Sequence, residues 1–348
     1  MTNGSMRHNS SVARKRQRRR ELYSIWRKGK NRNKIGISRQ KIPIIAPSEF
    51  SFNQNPEAVI SFANTLERFY DKGQPVQVKL DDVTEIDPGA LLLLIAVMIK
   101  FRRDNVAFNG TMPKNVVARR MLKESGFIEI LYQKNPLHKQ EDYILRNGGK
   151  NEIITHGMRR VDPELAFQVI GSASKFIWGG ERRCPGAYAT IIELMHNTHN
   201  HADVDIQGVQ HWWLFVRHDE IKKVASFAFV DLGVGIFESL RNKPHDSIWK
   251  KGIEILSDSF KYSNNAEFLK LILNGDLQRA ISVTGDEYRG KGLPAIARCV
   301  NSTQISNLRI ISNDAHAAPE MGKYELMSKS FNGTYIYWEL GEINESIA

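Results

Sequence analysis

The sequence predicts two α/β domains that follow a basic tail. A length of 348 residues suits two or three domains of roughly 150 residues each. Hydrophobic residues make up 41% of the chain and charged residues 25%, which is typical of a folded globular protein. From Ile42 onward, apolar strand patterns alternate with amphipathic helix patterns, as in layered α/β folds. We therefore predict a flexible tail over 1–41, a first domain over 42–135, a linker over 136–160 and a second domain over 161–342.

The first domain begins with short apolar strands and helices in alternation. Strands are predicted at 42–46, 76–80 and 106–109, and helices near 55–70, after Asp87 and over 116–125. Asp87 is a favourable N-cap, and Pro88 suits the first helical turn. The helix that follows carries an apolar run from Leu91 to Met98. A compact α/β layer of about 95 residues is therefore expected.

This domain resembles the STAS domain, the fold of anti-sigma-factor antagonists. The segments VKLDDVTEIDPGALLLLIAVMIKF and MLKESGFIEI carry the resemblance. It implies a protein partner that binds through this domain. Regulatory STAS domains have a phosphorylatable serine directly after the acidic residue of the turn, whereas Pro88 and Gly89 follow Asp87. We therefore expect no phosphoserine switch there, and we interpret Thr84 as a strand-end or turn residue.

The second domain is predicted to contain a sheet with little helix between its last strands. Residues 136–160 are polar and rich in glycine, which is typical of a linker. Helices are predicted at 163–177, 186–201 and 293–300, and strands at 211–217, 223–231, 307–312, 323–328 and 333–340. Consecutive strands without helical crossovers pair most simply as antiparallel neighbours, so the sheet should be mixed or antiparallel.

The first chemical motif is IIELMHNTHNHA, within a predicted helix. Glu193, Asn197 and His201 recur every four residues and would form one stripe of that helix. A carboxylate can orient or deprotonate an attacking oxygen, and an amide oxygen can complete the coordination of Mg²⁺. This pair therefore suits phosphate chemistry.

The second motif, FVDLGVGIFE, follows an apolar strand. Asp231 stands at the strand end, where its carboxylate can accept the amino proton of adenine. Guanine presents an oxygen at that position and would be disfavoured. Gly233 and Gly235 allow the backbone to approach a nucleotide closely.

The third motif, YRGKGLPAI, precedes a predicted helix. Gly290 and Gly292 would let the amides of the helix N-terminus approach phosphates, and Lys291 would add positive charge. Near the C-terminus, FNGTYIYWEL adds Thr334 at the start of a strand.

In this order, the three motifs resemble the GHKL class, the ATP-binding fold of histidine kinases, Hsp90-like and MutL-like proteins. The resemblance implies a two-layer α+β sandwich over 161–342 that binds Mg²⁺ and ATP, with an ATP lid over 236–289. It implies a catalytic role for Glu193, and nucleotide or Mg²⁺ contacts for Asn197 and His201. Thr334 would lie against the nucleotide.

The reaction is left open by this resemblance, because the fold serves several functions. The box ELMHNTHNH is most similar to anti-sigma-factor serine kinases, which favours an ATP-binding regulatory protein acting as a partner-switching ATPase or a serine/threonine kinase. An ATP-gated clamp of the Hsp90 or MutL kind and a non-hydrolysing ATP-bound adaptor are the alternatives. A histidine kinase is disfavoured, because no helical hairpin with a phosphoacceptor histidine precedes the second domain.

Simpler interpretations exist for each motif. Glu193 and Asn197 could be polar residues of an exposed helix face, Asp231 a turn residue and Lys291 a solvated side chain. A zinc site formed by His196, His199 and His201 is disfavoured, since on a helix they do not converge on one ion. Cys184 and Cys299 fit no metal or disulfide spacing.

The basic tail carries the excess charge of the chain. Residues 1–41 have a net charge of +13 against +11 for the whole protein, so residues 42–348 sum to −2. The tail is either a solvated charge run or an attachment to nucleic acid, an anionic surface or an acidic partner. Without an apolar segment of roughly 20 residues or a signal core, a cytoplasmic protein with no membrane span is expected, and oligomers are compatible with it.

Overall fold

The computed structural model describes the chain from residue 40 to 346 with several gaps. The described residues are 40–125, 127, 143–146, 152–158, 161–201, 211–243, 247–259, 262–282, 292–344 and 346. The predicted tail up to residue 39 lies outside them, as do residues 128–135 at the end of the predicted first domain. Gly290 and Lys291 of the third motif also lie outside the described residues.

The N-terminal unit is an α/β layer, as predicted. Its strands are β1 (Ile42–Ile45), β2 (Glu49–Phe50), β3 (Val76–Lys79), β4 (Glu85–Ile86) and β5 (Phe108–Gly110). Its helices are α1 (Pro56–Asp71), α2 (Pro88–Arg103) and α3 (Val116–Glu124). β1, β3 and β5 form a parallel sheet in the order β1-β3-β5, and β2 pairs with β4 in parallel. The predicted strands and helices of this region are confirmed within two residues.

The first turn of α2 is organised by Asp87. Its carboxylate accepts the backbone N–H of Ala90 at 2.7 Å, which confirms the predicted N-cap. It also accepts the hydroxyl of Ser51 at 2.8 Å and the N–H of Asn53 at 3.0 Å. Burial raises the pKa of this carboxyl, and these hydrogen bonds oppose the shift. Asp87 is thus a structural residue that joins α2 to the chain after β2.

The C-terminal unit is built on a six-stranded antiparallel sheet. Its strands are β6 (Tyr143–Arg146), β7 (Glu152–Met158), β8 (His211–Asp219), β9 (Val224–Asp231), β10 (Ser306–Ala318) and β11 (Lys323–Gly341). The helices are α4 (Pro163–Trp178), α5 (Pro185–His201), α6 (Ile236–Arg241), α7 (Ile248–Ser259), α8 (Asn265–Leu273), α9 (Asp276–Ser282) and α10 (Gly292–Asn301). The strand order is β10-β11-β9-β8-β7-β6, and each neighbouring pair is antiparallel. The predicted antiparallel alternative is therefore confirmed.

Two predictions about strands are wrong. The linker predicted over 136–160 contains β6 and β7, which extend the sheet at one edge because β7 pairs with β8 along its whole length. The strands themselves contain β-favouring residues, in YILR and EIITHGM, but the polar and glycine-rich residues around them indicated a linker. The strands predicted at 323–328 and 333–340 are one strand, β11, because its pairing with β10 continues past Asn332 through a register shift.

Both faces of the sheet are buried. Along β8, Trp212, Leu214 and Val216 belong to the core under the C-terminal helices, whereas Trp213 and Phe215 join the core of the N-terminal unit. Strands buried on both faces carry continuous apolar runs, which explains the sequence WWLFV. The layers are therefore the N-terminal unit, the six-stranded sheet and the C-terminal helices. Among the described helices, including the apolar α2, none is long and apolar enough to cross a membrane.

Polar contacts join α1 to β11 across this interface. The Glu57 carboxylate accepts the backbone N–H and the hydroxyl of Ser328 at 2.8 and 2.7 Å. The Asn64 side-chain amide donates to the carbonyl of Ser330 at 2.9 Å. These contacts fix the orientation of the N-terminal unit, while the apolar core supplies most of the free energy.

Gly89 provides a direct test of this packing. A Cβ at Gly89 would lie 2.3 Å from Cε2 of Tyr335 in β11. We expect Gly89→Ala to lower the free energy of unfolding by about 1–3 kcal/mol, the usual effect of overpacking a core. Gly171→Ala is the control, since a Cβ at this helical position meets no atom within 4 Å. That change should stabilise the protein by about 0.5–1 kcal/mol. Urea unfolding of both variants measures the difference, and equal stabilities would contradict the observed packing.

Candidate functional site

One cavity of about 100 Å³ lies between the sheet and the C-terminal helices. It is lined by Leu194, Asn197, Phe229, Asp231, Gly235, Ile236, Ser239, Leu240, Ile272, Leu277, Gln278, Leu293, Pro294, Thr334 and Ile336. The lining is mostly apolar with a few polar groups, a combination typical of small-molecule sites. Its volume is below the roughly 300–1,000 Å³ of such sites, and residues 283–291, which lead into α10, lie outside the described residues.

The cavity brings together residues from all three motifs and the last strand. Asn197 comes from α5, Asp231 from the end of β9, Gly235 from the turn before α6 and Thr334 from β11. Asn197 and Thr334, the first and last of these residues, are 137 positions apart in the sequence, and the fold brings them together. Residues that are far apart in the sequence thus line the same cavity.

Asp231 is the ionisable residue among the described residues that line the cavity. Its Oδ1 accepts the backbone N–H of Gly233 at 3.1 Å, and the hydroxyl of Thr334 donates to its carboxylate. Burial raises the pKa of Asp231 to about 7, and the two hydrogen bonds limit this rise. The carboxyl group therefore changes its charge near neutral pH, which is common at functional sites.

Asp231 and Thr334 belong to a row of polar residues across three strands. Asp231 in β9 is paired with Thr334 in β11, and Thr334 is paired with Ser312 in β10. The Ser312 and Thr334 hydroxyl oxygens are 3.3 Å apart. Ser312 is fully buried, so the row continues from the cavity into the sheet.

The stripe predicted on α5 reaches the cavity at one residue. Asn197 lines the cavity, and the buried residues Leu194 and Thr198 hold this part of α5 against the core. Glu193 is half-buried one turn earlier on the helix and is not among the lining residues. His201 is the last residue of α5, and its side chain lies outside the described part.

The glycines of the motifs occupy turns around the cavity. Gly233 donates its N–H to Asp231, and Gly235 has a φ of +79°, a conformation that favours glycine. Gly292 is the first residue of α10, and the next two residues, Leu293 and Pro294, line the cavity. The third motif thus contributes to the cavity wall through its described residues.

Sequence reasoning missed the apolar wall formed by the predicted lid. The described residues of the lid predicted over 236–289 form four helices, α6 to α9. Ile272 of α8 and Leu277 of α9 line the cavity beside Leu240 of α6. Their helical spacing indicates burial but not which space they face, so no local signal could have assigned them to the site.

No protein-family model, curated protein or solved structure matches this chain. The described residues also contain no group of three or more His, Cys, Asp or Glu side chains that could hold a metal ion. A Mg²⁺ ion held by one amide, phosphate oxygens and water would not require such a group. The function is therefore argued from the geometry of the cavity.

Proposed function

We propose that the cavity binds the base of ATP and that the chain is an ATP-binding regulatory protein of the GHKL class, with a STAS-like N-terminal unit. The observation that carries this proposal is the Asp231 carboxylate beside Thr334 at the end of an apolar cavity. Adenine is flat and apolar and has one exocyclic amino group. Phe229, Leu194 and Ile336 can pack against its ring, and Asp231 can accept the amino proton.

The small volume of the cavity supports a site for the base rather than for the whole nucleotide. The phosphates are assigned to the N-terminus of α10 with Gly290, Lys291 and Gly292, because amides at a helix N-terminus favour anions. Asn197 would hold Mg²⁺ at the mouth of the cavity, with His201 at the end of the same helix. This arrangement follows from the motif resemblance and is compatible with the described part of α10.

Two modes of action remain for such a site. Glu193 would act as the base that orients an attacking water or hydroxyl, which makes the protein an ATPase or a serine/threonine kinase. The second candidate is a protein that responds to bound ATP without hydrolysis, as a clamp or an adaptor. Because the cavity is assigned to the base and Glu193 does not line it, turnover rather than nucleotide affinity distinguishes the two modes.

The protein partner is assigned to the N-terminal unit. The side of this unit that faces the six-stranded sheet is buried against Trp213, Phe215 and Tyr335, so a partner would bind the opposite side. The basic tail would add attachment to nucleic acid or to an anionic surface, with an affinity that falls as salt rises.

Calorimetric titration of the full chain tests the nucleotide proposal. We expect ATP to bind with Mg²⁺ and GTP to bind at least about 10-fold more weakly, because guanine places an oxygen opposite Asp231. Equal affinities would contradict the role of Asp231. Absence of ATP binding would overturn the proposed function.

Asn197 should contribute to ATP binding through the metal ion. We expect Asn197→Ala to weaken ATP binding roughly 10-fold with Mg²⁺ and much less in EDTA, because its amide oxygen completes the coordination of the ion. The control is His196→Ala, which changes the exposed neighbour on α5. Titrations of both variants with and without Mg²⁺ make the comparison. An equal loss in both conditions would show that Asn197 contacts the nucleotide directly.

A further inference from the structure

Two side chains of β10 hold the turn that follows Asp231. Asn313 accepts the N–H of Phe237 at 3.1 Å through Oδ1, and its Nδ2 donates to the carbonyl of Val234 at 2.9 Å. Ser312 accepts the N–H of Ile236 at 2.9 Å through its hydroxyl oxygen. These three bonds tie residues 234–237 to a strand that is not adjacent to β9 in the sheet.

A β-bulge lets both side chains reach the same turn. In a regular strand, successive side chains point to opposite faces. Ser312 is paired with Thr334, but the register shifts so that Asn313 is paired with Phe331. Asn313 has a φ of +50°, in the left-handed region that asparagine tolerates better than most residues. Bulges of this kind redirect a side chain, which explains the position of the Asn313 amide.

Gly235 in this turn lies against the Asn313 side chain. A Cβ at Gly235 would lie 2.5 Å from Oδ1 of Asn313. Asn313 is buried, and both functional atoms of its amide are used in bonds to the turn. Asn313 itself is not among the residues that line the cavity, whereas Gly235 is. Any effect of Asn313 on a ligand must therefore pass through the turn.

We propose that Asn313, assisted by Ser312, is a positioning residue that holds residues 234–237, and thereby the neighbouring Gly233 N–H that orients the Asp231 carboxylate toward the nucleotide base. The inference rests on the proposed adenine site. It identifies residues that determine the preference of this site for adenine over guanine. A recognition group must be held within about 0.5 Å of its productive position, and supporting hydrogen bonds provide that precision.

The test compares two asparagines of β10 with the same backbone conformation. Asn313→Gly retains the left-handed backbone and removes all bonds of the amide. The control, Asn307→Gly, makes the same change at a φ of +54° on the same strand, away from the cavity. Calorimetry of the full chain measures the affinities for ATP and GTP. We expect Asn313→Gly to lower the ATP-to-GTP affinity ratio roughly 10-fold and Asn307→Gly to leave it unchanged.

A double variant shows whether the effect passes through Asp231. If it does, Asn313→Gly should add no further loss of ATP affinity to Asp231→Asn. An additive loss, or an unchanged affinity ratio in Asn313→Gly, would overturn the positioning role while a parent protein that prefers ATP still supports the proposed function. A parent that binds no ATP overturns both.

Ser312→Ala provides the same test if Asn313→Gly does not fold. It removes the acceptor of the Ile236 N–H, together with the bond of the Ser312 hydroxyl to the Gly333 carbonyl. We expect the ATP-to-GTP affinity ratio to fall by about 3-fold, a smaller effect in the same direction. A folded Ser312→Ala protein with the parental ratio would contradict the proposal.

Discussion

Replacement of Asp231 by asparagine should weaken ATP binding by about 10- to 150-fold. The change removes a charged acceptor from an apolar cavity, and a hydrogen bond to a charged group contributes roughly 1.5–3 kcal/mol. The preference for ATP over GTP should also fall, because an asparagine amide can donate to the guanine oxygen. Titrations with both nucleotides measure the two effects. A variant with parental affinity for ATP would exclude Asp231 from base recognition.

The pH dependence of binding gives this prediction a second readout. Burial raises the pKa of Asp231 to about 7, and an amino donor favours the ionised form. The affinity for ATP should therefore rise between pH 6 and pH 8 in the parent protein. In Asp231→Asn this part of the pH dependence should be absent, and its persistence would assign the titration to another group.

The same carboxyl group affects the stability of the free protein. Its pKa is raised on folding, so ionisation costs stability. The cost is absent below the unfolded pKa of 3.8 and complete above about pH 7. Asp231→Asn should therefore be more stable than the parent at pH 8, with the difference disappearing near pH 4. Thermal unfolding at both pH values measures this difference.

Glu193→Ala should separate chemistry from binding. If Glu193 orients the attacking oxygen, its removal should lower turnover or phosphoryl transfer by roughly 10²- to 10⁴-fold, the usual contribution of a positioned base. Affinity for ATP should remain near the parental value, because Glu193 does not line the cavity. Single-turnover assays and titration of the same preparation measure the two quantities.

Glu164→Gln on α4 is the matched control, since it alters an exposed carboxylate that does not line the cavity. It should change neither quantity. A loss of ATP affinity in Glu193→Ala equal to that in Asp231→Asn would contradict the separation of roles. A parent that binds ATP without any turnover would exclude the base role and favour the non-hydrolysing alternative.

Features with a local physical cause were predictable from the sequence. Asp87 before Pro88 predicts a helix start, since an N-cap needs one side chain and a few neighbouring amides. Asp231, Gly235 and Thr334 were also assigned to one site from their motifs, and the cavity contains all three. Their common cavity agrees with a single site, and their contacts with a nucleotide stay predictions.

Features that depend on distant pairing were not predictable. β7 lies among polar and glycine-rich residues, so its short Ile153–Thr155 run did not reveal a strand that pairs with β8. The role of Asn313 depends on a bulge whose register is set by residues of β11, so its sequence context contains no signal. One face of the six-stranded sheet is buried by the N-terminal unit, including α2. The continuous apolar run of α2 predicts that this helix is buried, but it does not predict which surface the helix packs against.

The interface between the two units also determines when the protein can fold during synthesis. The Tyr335 hydroxyl donates to Oδ1 of Asn53 at 3.3 Å, across a separation of 282 residues. At roughly 5–20 residues per second, the ribosome needs on the order of 15–55 s to make the intervening chain. During that time, the side of α2 that later meets β11 lacks its cover. Nascent chains should therefore depend on chaperones that shield apolar surface until the last strand emerges.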